Sequence, residues 1–243
     1  MIKQAAELIL SSERLSVFTG AGISVESGIP PFRGEDGLWA KYDPIILDLD
    51  FYHQHTQKSW PIIKELFFDF FNKAKPNPAH TVLAKWEKKG LIEEIITQNI
   101  DNLHQEAGSK KVFEFHGTAQ NFICTKCARE YKAAELQLSN EAPHCLSPHC
   151  HGLLKPDFIF FGEGIPPKAY EASIYAAQHS DVFIVVGTTG EIMPASQIPI
   201  IAKQNGAKII EINVKPSNYT HSIVDVFLQG KASSIFNQLD KMI

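Results

Sequence analysis

Four cysteines, one histidine and one short run of amide and acid side chains have the types and spacing to do chemistry in this chain. Cys124-Thr125-Lys126-Cys127 and Cys145-Leu146-Ser147-Pro148-His149-Cys150 are two cysteine pairs with seventeen residues between them. Together they offer four thiolates to a tetrahedral zinc ion, and a filled shell leaves no open catalytic position, so the expected role is structural. His144, His149 and His151 flank the wider second pair and leave open a histidine ligand in place of a cysteine. Two disulfides, or a redox pair, are weaker readings of a cluster in a chain that opens with no secretory pattern. Thr97-Gln98-Asn99-Ile100-Asp101 follows an apolar run, and its side chains can hydrogen-bond a carboxamide and ribose hydroxyls. Asn and Asp also cap helices, so the pattern has a purely structural reading as well. His116-Gly117 closes the next apolar run, and an imidazole suits general-base work near neutral pH. The loop from Thr19 to Gly34 packs Gly20, Gly22, Gly28, Pro30, Pro31 and Arg33 together, and the free N–H groups of such a loop attract anions. It matches the dinucleotide fingerprint only in part, because Val25 stands where the third glycine belongs.

These groups need a scaffold, and 243 residues with 44% hydrophobic content can bury a full core, with one large domain and an inserted module as the natural arrangement. The formal net charge of −4 argues against a basic face for nucleic acid, so no direct nucleic-acid binding is expected. No run of eighteen apolar residues is present, so no membrane span is expected, and the cytoplasm is the expected compartment. Leu15 to Phe18, Leu91 to Thr97, Val112 to Gly117, Val182 to Val186 and Lys208 to Asn213 read as strands. Helices are predicted at the N-terminus and over 80–89, 103–107, 168–178, 194–204 and 232–241. The cysteine section interrupts this alternation, which is expected to resume as a strand over 157–161. The segment from Trp60 to Phe71 has the apolar density of a buried helix, with Phe67, Phe68, Phe70 and Phe71 read as core. Strands of continuous Val, Ile and Phe alternating with helices indicate an α/β fold with a parallel sheet covered on both faces. Ligands of such sheets bind at the C-terminal strand ends, where the informative loops of this chain fall.

Taken in order, these residues resemble the sirtuin family of NAD-dependent protein-lysine deacylases. The resemblance rests on Gly20-Ala21-Gly22-Ile23-Ser24, Ser27-Gly28-Ile29-Pro30, Phe32-Arg33-Gly34, Thr97 to Asp101, His116-Gly117 and the two cysteine pairs. It continues through Phe161-Gly162-Glu163, Gly187-Thr188, Pro194-Ala195 and Ile212-Asn213, and so spans essentially the whole chain. It implies a Rossmann-like NAD-binding domain of residues 1–35, 80–117 and 156–243. A smaller inserted part would combine a helical module, 36–79, with a zinc-binding module, 118–155, in which Cys124, Cys127, Cys145 and Cys150 hold one structural zinc ion. By the same resemblance Gly20, Ala21, Gly22 and Ser24 lie against NAD, Arg33 stands near its phosphates, and Phe32 shields the reacting ribose. Gln98, Asn99, Ile100 and Asp101 form the nicotinamide and ribose pocket. Gly187, Thr188, Thr189, Asn213, Val214, Lys231 and Ala232 hold the adenosine half. His116 is the implied general base, with Asn99 and Asp101 sharing the catalytic site. The implied reaction moves the acyl group from lysine to ADP-ribose, releasing nicotinamide and O-acyl-ADP-ribose. The acylated protein segment would lie as an added strand between Phe161-Gly162-Glu163 and Glu191-Ile192. A monomer is expected.

Three departures from the family pattern stand out. Pro31 replaces the Asp that precedes the Phe-Arg pair in most members, and Gly190-Glu191-Ile192-Met193 replaces a more apolar stretch. Members that remove succinyl and malonyl groups carry a Tyr-x-x-Arg pair, for which Lys64 and Phe67 stand here. An acidic acyl group therefore lacks its Arg partner, and deacetylation is the expected activity. Mono-ADP-ribosyl transfer to protein is the alternative that shares the same site. A catalytically silent zinc-containing interaction protein and a nicotinamide dehydrogenase are more distant alternatives.

Overall fold

The computed structural model describes residues 1–33 and 37–243, with the main chain only at Phe70 and Asn72; the Gly34 reading lies outside the described residues. Helix α1 (Ile2–Ser11) leads into strand β1 (Leu15–Thr19). Then come α2 (Leu49–Gln54), α3 (Thr56–Lys64), α4 (Pro78–Lys88), β2 (Ile92–Thr97), α5 (Leu103–Ala107) and β3 (Val112–Glu114). Strands β4 (Gly117–Cys124), β5 (Glu130–Lys132) and β6 (Leu154–Phe158) follow. The chain closes with α6 (Pro167–His179), β7 (Val182–Val186), α7 (Gln197–Gln204), β8 (Lys208–Asn213), β9 (Val226–Gln229) and α8 (Ala232–Asp240).

Six strands form one parallel sheet in the order β3-β2-β1-β7-β8-β9. From β1 the chain winds outward to β2 and β3, then returns to place β7 on the other side of β1. The order reverses there, and a reversal opens a crevice beyond the carboxyl ends of the two strands. Every residue of β1 and β7 is buried, as expected of central strands covered on both faces. On one face α1, α4 and α8 press Ala5, Ile9, Trp86 and Phe236 against the sheet. On the other, α6 and α7 cover Phe18, Phe115 and Phe183 with Ala176, Ala177, Ile198 and Ala202. Helix α4 starts cleanly because Pro78 occupies its first turn and the Asn77 side chain accepts from the Ala79 N–H at 2.9 Å.

The expectation that the parallel sheet resumes over 157–161 is not met. Strand β6 ends at Phe158 and pairs antiparallel with β4 in a second, three-stranded sheet ordered β5-β4-β6. An apolar run suits either sheet, and the local backbone decides between them. Gly117 lies opposite Phe158 with φ +71°, and the Ile159 N–H donates to the His116 carbonyl at 2.8 Å. Strand β9 was also missed, because four residues at a sheet edge carry little pattern. The buried helix expected over 60–71 changes pitch instead of running straight. Helix α3 passes into a wider π-helical stretch, Glu65–Phe70, and then a 3-10 turn, Phe71–Lys73. Phe67, Phe68 and Phe71 are buried, whereas the side chain of Phe70 lies outside the described residues. Trp60, Phe68 and Phe122 pack together at 5.0–5.9 Å between ring centroids, joining this segment to the small sheet.

Candidate active site

The glycines of the loop after β1 are explained first by packing. A Cβ on Gly22 would sit 2.6 Å from the Gly187 Cα, and one on Gly20 would sit 2.8 Å from the Gly187 carbonyl oxygen. Gly187 in turn has φ +60°, and its own Cβ would lie 2.5 Å from the Ile23 nitrogen. The loops after β1 and β7 therefore interlock backbone against backbone, and the Gly22 N–H donates to the Gly187 carbonyl at 2.8 Å. Residues Ala21–Ser27 continue as a 3-10 helix rather than an open loop, because the interlock turns the chain sharply there.

Over this interlock opens a cleft of about 1030 Å³. Gly20, Ala21, Gly22, Phe32, Arg33, Gln98, Asn99, Ile100 and His116 line it, with Gly187, Thr188, Thr189, Asn213, Val214, Lys231 and Ala232 along the sheet side. Phe161, Gly162, Glu163, Glu191 and Ile192 line its other end. Ser24 and Asp101 adjoin this lining through hydrogen bonds. The Ser24 hydroxyl donates to Asp101 Oδ2 at 2.6 Å, and Asn99 Nδ2 donates to Ser24 Oγ and to the Gly20 carbonyl, both at 3.2 Å. Burial pushes the Asp101 carboxyl above its ordinary value, against the pull of the Ser24 and Leu103 donors. Gln98 Nε2 donates to Thr188 Oγ1 at 3.1 Å, and Asn213 Nδ2 to the Thr188 carbonyl at 2.9 Å, so three strand ends are tied into one floor.

A second polar layer lies deeper, and sequence reasoning missed it. His80 and His104 are fully buried with ring centroids 4.9 Å apart, and His104 Nε2 lies 2.9 Å from the Thr19 hydroxyl. Desolvation lowers the pKa of His80 to about 4 and that of His104 well below the usual range, so both rings are neutral at neutral pH. His80 Nδ1 accepts from the Asn77 N–H at 3.3 Å, which turns Nε2 towards Ser24 Oγ at 3.5 Å. The signal available in the sequence was the Asn77-Pro78-Ala79-His80 helix start, a capping box with a histidine at its third position.

His116 stands between β3 and β4, half-buried, with Nδ1 3.1 Å from the Gln98 carbonyl. That carbonyl can only accept, so Nδ1 carries the proton and Nε2 is left as the basic nitrogen. Burial lowers the His116 pKa, and the Gln98 carbonyl opposes that shift. Beyond His116 the lining turns apolar, with Trp39, Leu47, Phe67, Phe158 and Phe160. Phe67 is thus both core, as expected, and cleft wall. Lys64, four positions into the same segment, does not reach the cleft; its Nζ pairs with Asp69 Oδ2 at 2.6 Å. At the mouth, Arg33 Nε lies 3.0 Å from Glu191 Oε2, joining the loop after β1 to the loop after β7. Pro31 keeps a structural role through its carbonyl, which accepts from the Leu38 N–H at 2.9 Å.

Phe161 pairs its backbone with the helical segment, its N–H to the Leu47 carbonyl at 2.8 Å and its carbonyl to the Leu49 N–H at 3.1 Å. Among the described residues, the Gly162 N–H and carbonyl and the Glu191 N–H and carbonyl take no intramolecular partner, so two lengths of open backbone edge the cleft. Away from the cleft, Cys124, Cys127, Cys145 and Cys150 are unpaired thiols whose sulfurs all lie within 4.8 Å of one another. The Lys126 and Cys127 N–H groups donate to Cys124 Sγ at 3.4 Å, the arrangement of a thiolate knuckle. Four convergent sulfurs without a disulfide fit a tetrahedral zinc ion, and none of the flanking histidines joins the cluster.

Residues 20–194 match the model of the Sir2 family. The chain belongs to the Sir2 family. This Sir2-family chain is 43% identical to an NAD-dependent protein deacylase of Pyrococcus furiosus, over 98% of its own length and 96% of that protein. It is 38% identical to NAD-dependent protein deacetylase 1 of Pyrobaculum aerophilum, covering 98% and 93% of the two chains. Its backbone superposes with a TM-score of 0.94 on a Sir2 homologue with a serine-to-alanine substitution in complex with ADP-ribose, at 36% identity, covering 100% of this chain and 96% of the other. A Sir2 protein with a histidine-to-alanine substitution, bound to a deacetylated p53 peptide and 3′-O-acetyl ADP-ribose, superposes at 0.92 with 35% identity, over 99% of this chain and 97% of that one. Among the described residues, no helix of this Sir2-family chain is long and apolar enough to cross a membrane.

Proposed function

We propose that this Sir2-family chain is an NAD-dependent protein-lysine deacylase with acetyl-lysine as its preferred substrate. One observation carries the reading: His116, whose Nδ1 is held by the Gln98 carbonyl so that Nε2 is the basic nitrogen, lines the same cleft as the glycine loops and the Phe67, Phe158 and Phe160 rings. A reaction between a polar cofactor and an apolar acyl chain needs its proton acceptor where the two meet. Bound NAD supplies the ADP-ribose that accepts the acyl group, with release of nicotinamide.

The chain's own residues then divide the work. The interlocked loops at Gly20 to Gly22 and Gly187 to Thr189, with Asn213, Val214, Lys231 and Ala232, hold the adenosine side and offer N–H groups to the phosphates. Phe32 closes over the reacting ribose and excludes water. Gln98, Asn99, Ile100 and Asp101 shape the nicotinamide end, with Ser24 joined to Asn99 and Asp101 by hydrogen bonds. His116 Nε2, the basic nitrogen, would take the proton of a ribose hydroxyl of bound NAD. The acyl-lysine passes Phe67, Phe158 and Phe160, and its backbone lies between Gly162 and Glu191, whose open groups make it an added strand. Zinc on the four cysteines braces the small sheet and takes no part in the reaction.

Lys64 is paired with Asp69, so the cation that stands beside Phe67 in sequence is not free to meet an acidic acyl group. Incubating the protein with NAD and peptides carrying acetyl, butyryl, long-chain or succinyl lysine, read by mass spectrometry, tests the proposal. O-acetyl-ADP-ribose is expected from the acetyl peptide and little product from the succinyl one. Label from NAD appearing on protein in place of O-acyl-ADP-ribose would move the assignment to mono-ADP-ribosyl transfer.

A further inference from the structure

Lys155 is a buried lysine that the reaction described above does not use. It belongs to β6, which lies at one edge of the three-stranded sheet. Its Nζ donates to the Pro156 and Phe158 carbonyls, each at 2.8 Å, and lies 2.9 Å from Glu163 Oε2. An ammonium has three N–H donors, and these three partners saturate it. The Phe160 ring covers it with Nζ 4.3 Å from the ring centre. Desolvation disfavours the charged form, Glu163 favours it most, and Asp157 adds a smaller pull.

The same Glu163 oxygen accepts from the Phe160 N–H at 2.6 Å, while the Glu163 N–H donates to the Phe160 carbonyl at 3.0 Å. The turn 160–163 is therefore closed on itself and anchored to β6 through one carboxylate. That turn carries Gly162 and Glu163, the edge that lines the cleft with open backbone groups.

We propose that Lys155 is a positioning residue for the substrate backbone: through Glu163 it holds the Phe160–Glu163 turn in the conformation that pairs with an acylated peptide. The proposal rests on the reading that the peptide docks along this edge. Lys155 is not part of the cleft lining, so it acts on neither the acyl group nor the cofactor. An exposed pair could be lost at little cost, but a partly buried carboxylate deprived of its buried cation turns towards water in the cleft, and the turn moves with it. A shifted turn misaligns main-chain hydrogen bonds, which are the chief source of affinity for an added strand.

Steady-state kinetics with an acetylated peptide test this. Lys155→Met keeps the length of the side chain and removes the charge; it is expected to raise the peptide KM tenfold or more, with kcat within threefold and the NAD KM within twofold. Lys155→Arg restores the peptide KM to within threefold of wild type. Glu163→Gln raises the peptide KM, and the double variant is no worse than the worse single one, because the two groups act as a pair. Equal losses in the peptide and NAD terms would make Lys155 a general structural residue and overturn the proposal. If Lys155→Met does not fold, an unchanged peptide KM in Glu163→Gln overturns it instead. Peptide binding read by fluorescence anisotropy separates the two readings. Wild type that binds the peptide without turnover overturns the activity alone, whereas variants that bind like wild type overturn the positioning role.

Discussion

The two sides of the cleft are built by different means. On the parallel-sheet side, backbone meets backbone: Gly20, Gly22 and Gly187 interlock at distances no side chain could share. On the small-sheet side the wall is made of bulk, with Phe67, Phe158 and Phe160 packed at 5.0–5.3 Å between ring centroids. A wall of backbone fixes a shape and tolerates almost no change. A wall of aromatic rings can alter its volume ring by ring. On the proposed function, the parallel-sheet side, which would hold the cofactor, is suited to one ligand, and the small-sheet side to variation in the acyl group.

Removing the metal should separate the two sides most forcefully. Structural zinc contributes on the order of 10 kcal/mol to the folding of small zinc modules, and the four sulfurs that would hold it here converge within 4.8 Å of one another. Exhaustive chelation is expected to unfold 118–155 and end peptide turnover, while ADP-ribose still stabilises the remaining sheet in a thermal-shift assay. A chelated protein with full turnover, or one that loses both sides in a single transition, would erase the distinction.

His116 sits on the seam between the sides and tests the chemistry itself. His116→Ala is expected to cut deacylation by about 10²–10⁴-fold with the thermal midpoint little changed. Wild-type turnover in that variant would remove His116 from the role of base. The neutral imidazole is the active form, so activity is held above its pKa and lost as pH falls through it. Burial places that pKa below the ordinary 6.5, and the acid limb of kcat/KM, which reports the free enzyme, should lie below pH 6.5 accordingly. Stability has its own acid limit. His80 is neutral when folded, with a pKa of about 4, and ionises near 6.5 when unfolded, so its contribution is complete above pH 6.5 and is lost as pH falls towards 4.

The same contrast explains what the sequence disclosed. Gly20, Gly22, Gln98, Asn99, His116 and Gly187 were legible because backbone interlock and strand-end chemistry demand particular residue types at particular spacings. The four cysteines were legible for the same reason. The path of 157–161 was not, since Phe and Ile suit a parallel or an antiparallel neighbour equally, and the choice lay in pairing with Gly117. Ser24 and Asp101 were legible as neighbours in the site, but the hydrogen bond between them was not, because pattern conveys proximity and not partners. The buried His80 and His104, and Lys155 with Glu163, were invisible as partners, since each pair is joined only by the fold.

Substitutions of comparable size on the two sides sharpen the comparison. Gly22→Ala adds one methyl against the Gly187 backbone and is expected to cost about 1–3 kcal/mol and to raise the NAD KM at least tenfold. Phe67→Leu on the opposite wall removes more atoms, yet repacking should hold its cost near 1.5 kcal/mol, with the NAD KM unchanged and longer acyl groups better accepted. Urea unfolding and the acyl-peptide panel together read both. Gly22→Ala with an unaltered NAD KM would mean that the interlock has slack.

The smallest expected effect lies at the mouth, where the two sides touch through Arg33 and Glu191. Both side chains are roughly half exposed, 40% and 46%, so water and salt screen the pair and its worth is below about 1 kcal/mol. Glu191 still places a negative charge beside the open backbone on which the substrate is proposed to lie, and the NAD phosphates proposed to arrive near Arg33 would compete for that Arg. With Arg33 drawn away, Glu191 is free to attract a basic residue flanking the acyl-lysine. Wild type should then prefer basic over neutral flanking residues by about two- to fivefold at low salt, and less at high salt. Glu191→Gln should bring that ratio to one. A preference that survives the substitution, or that ignores ionic strength, would place peptide selection elsewhere, on the aromatic wall rather than at the point where the two sides meet.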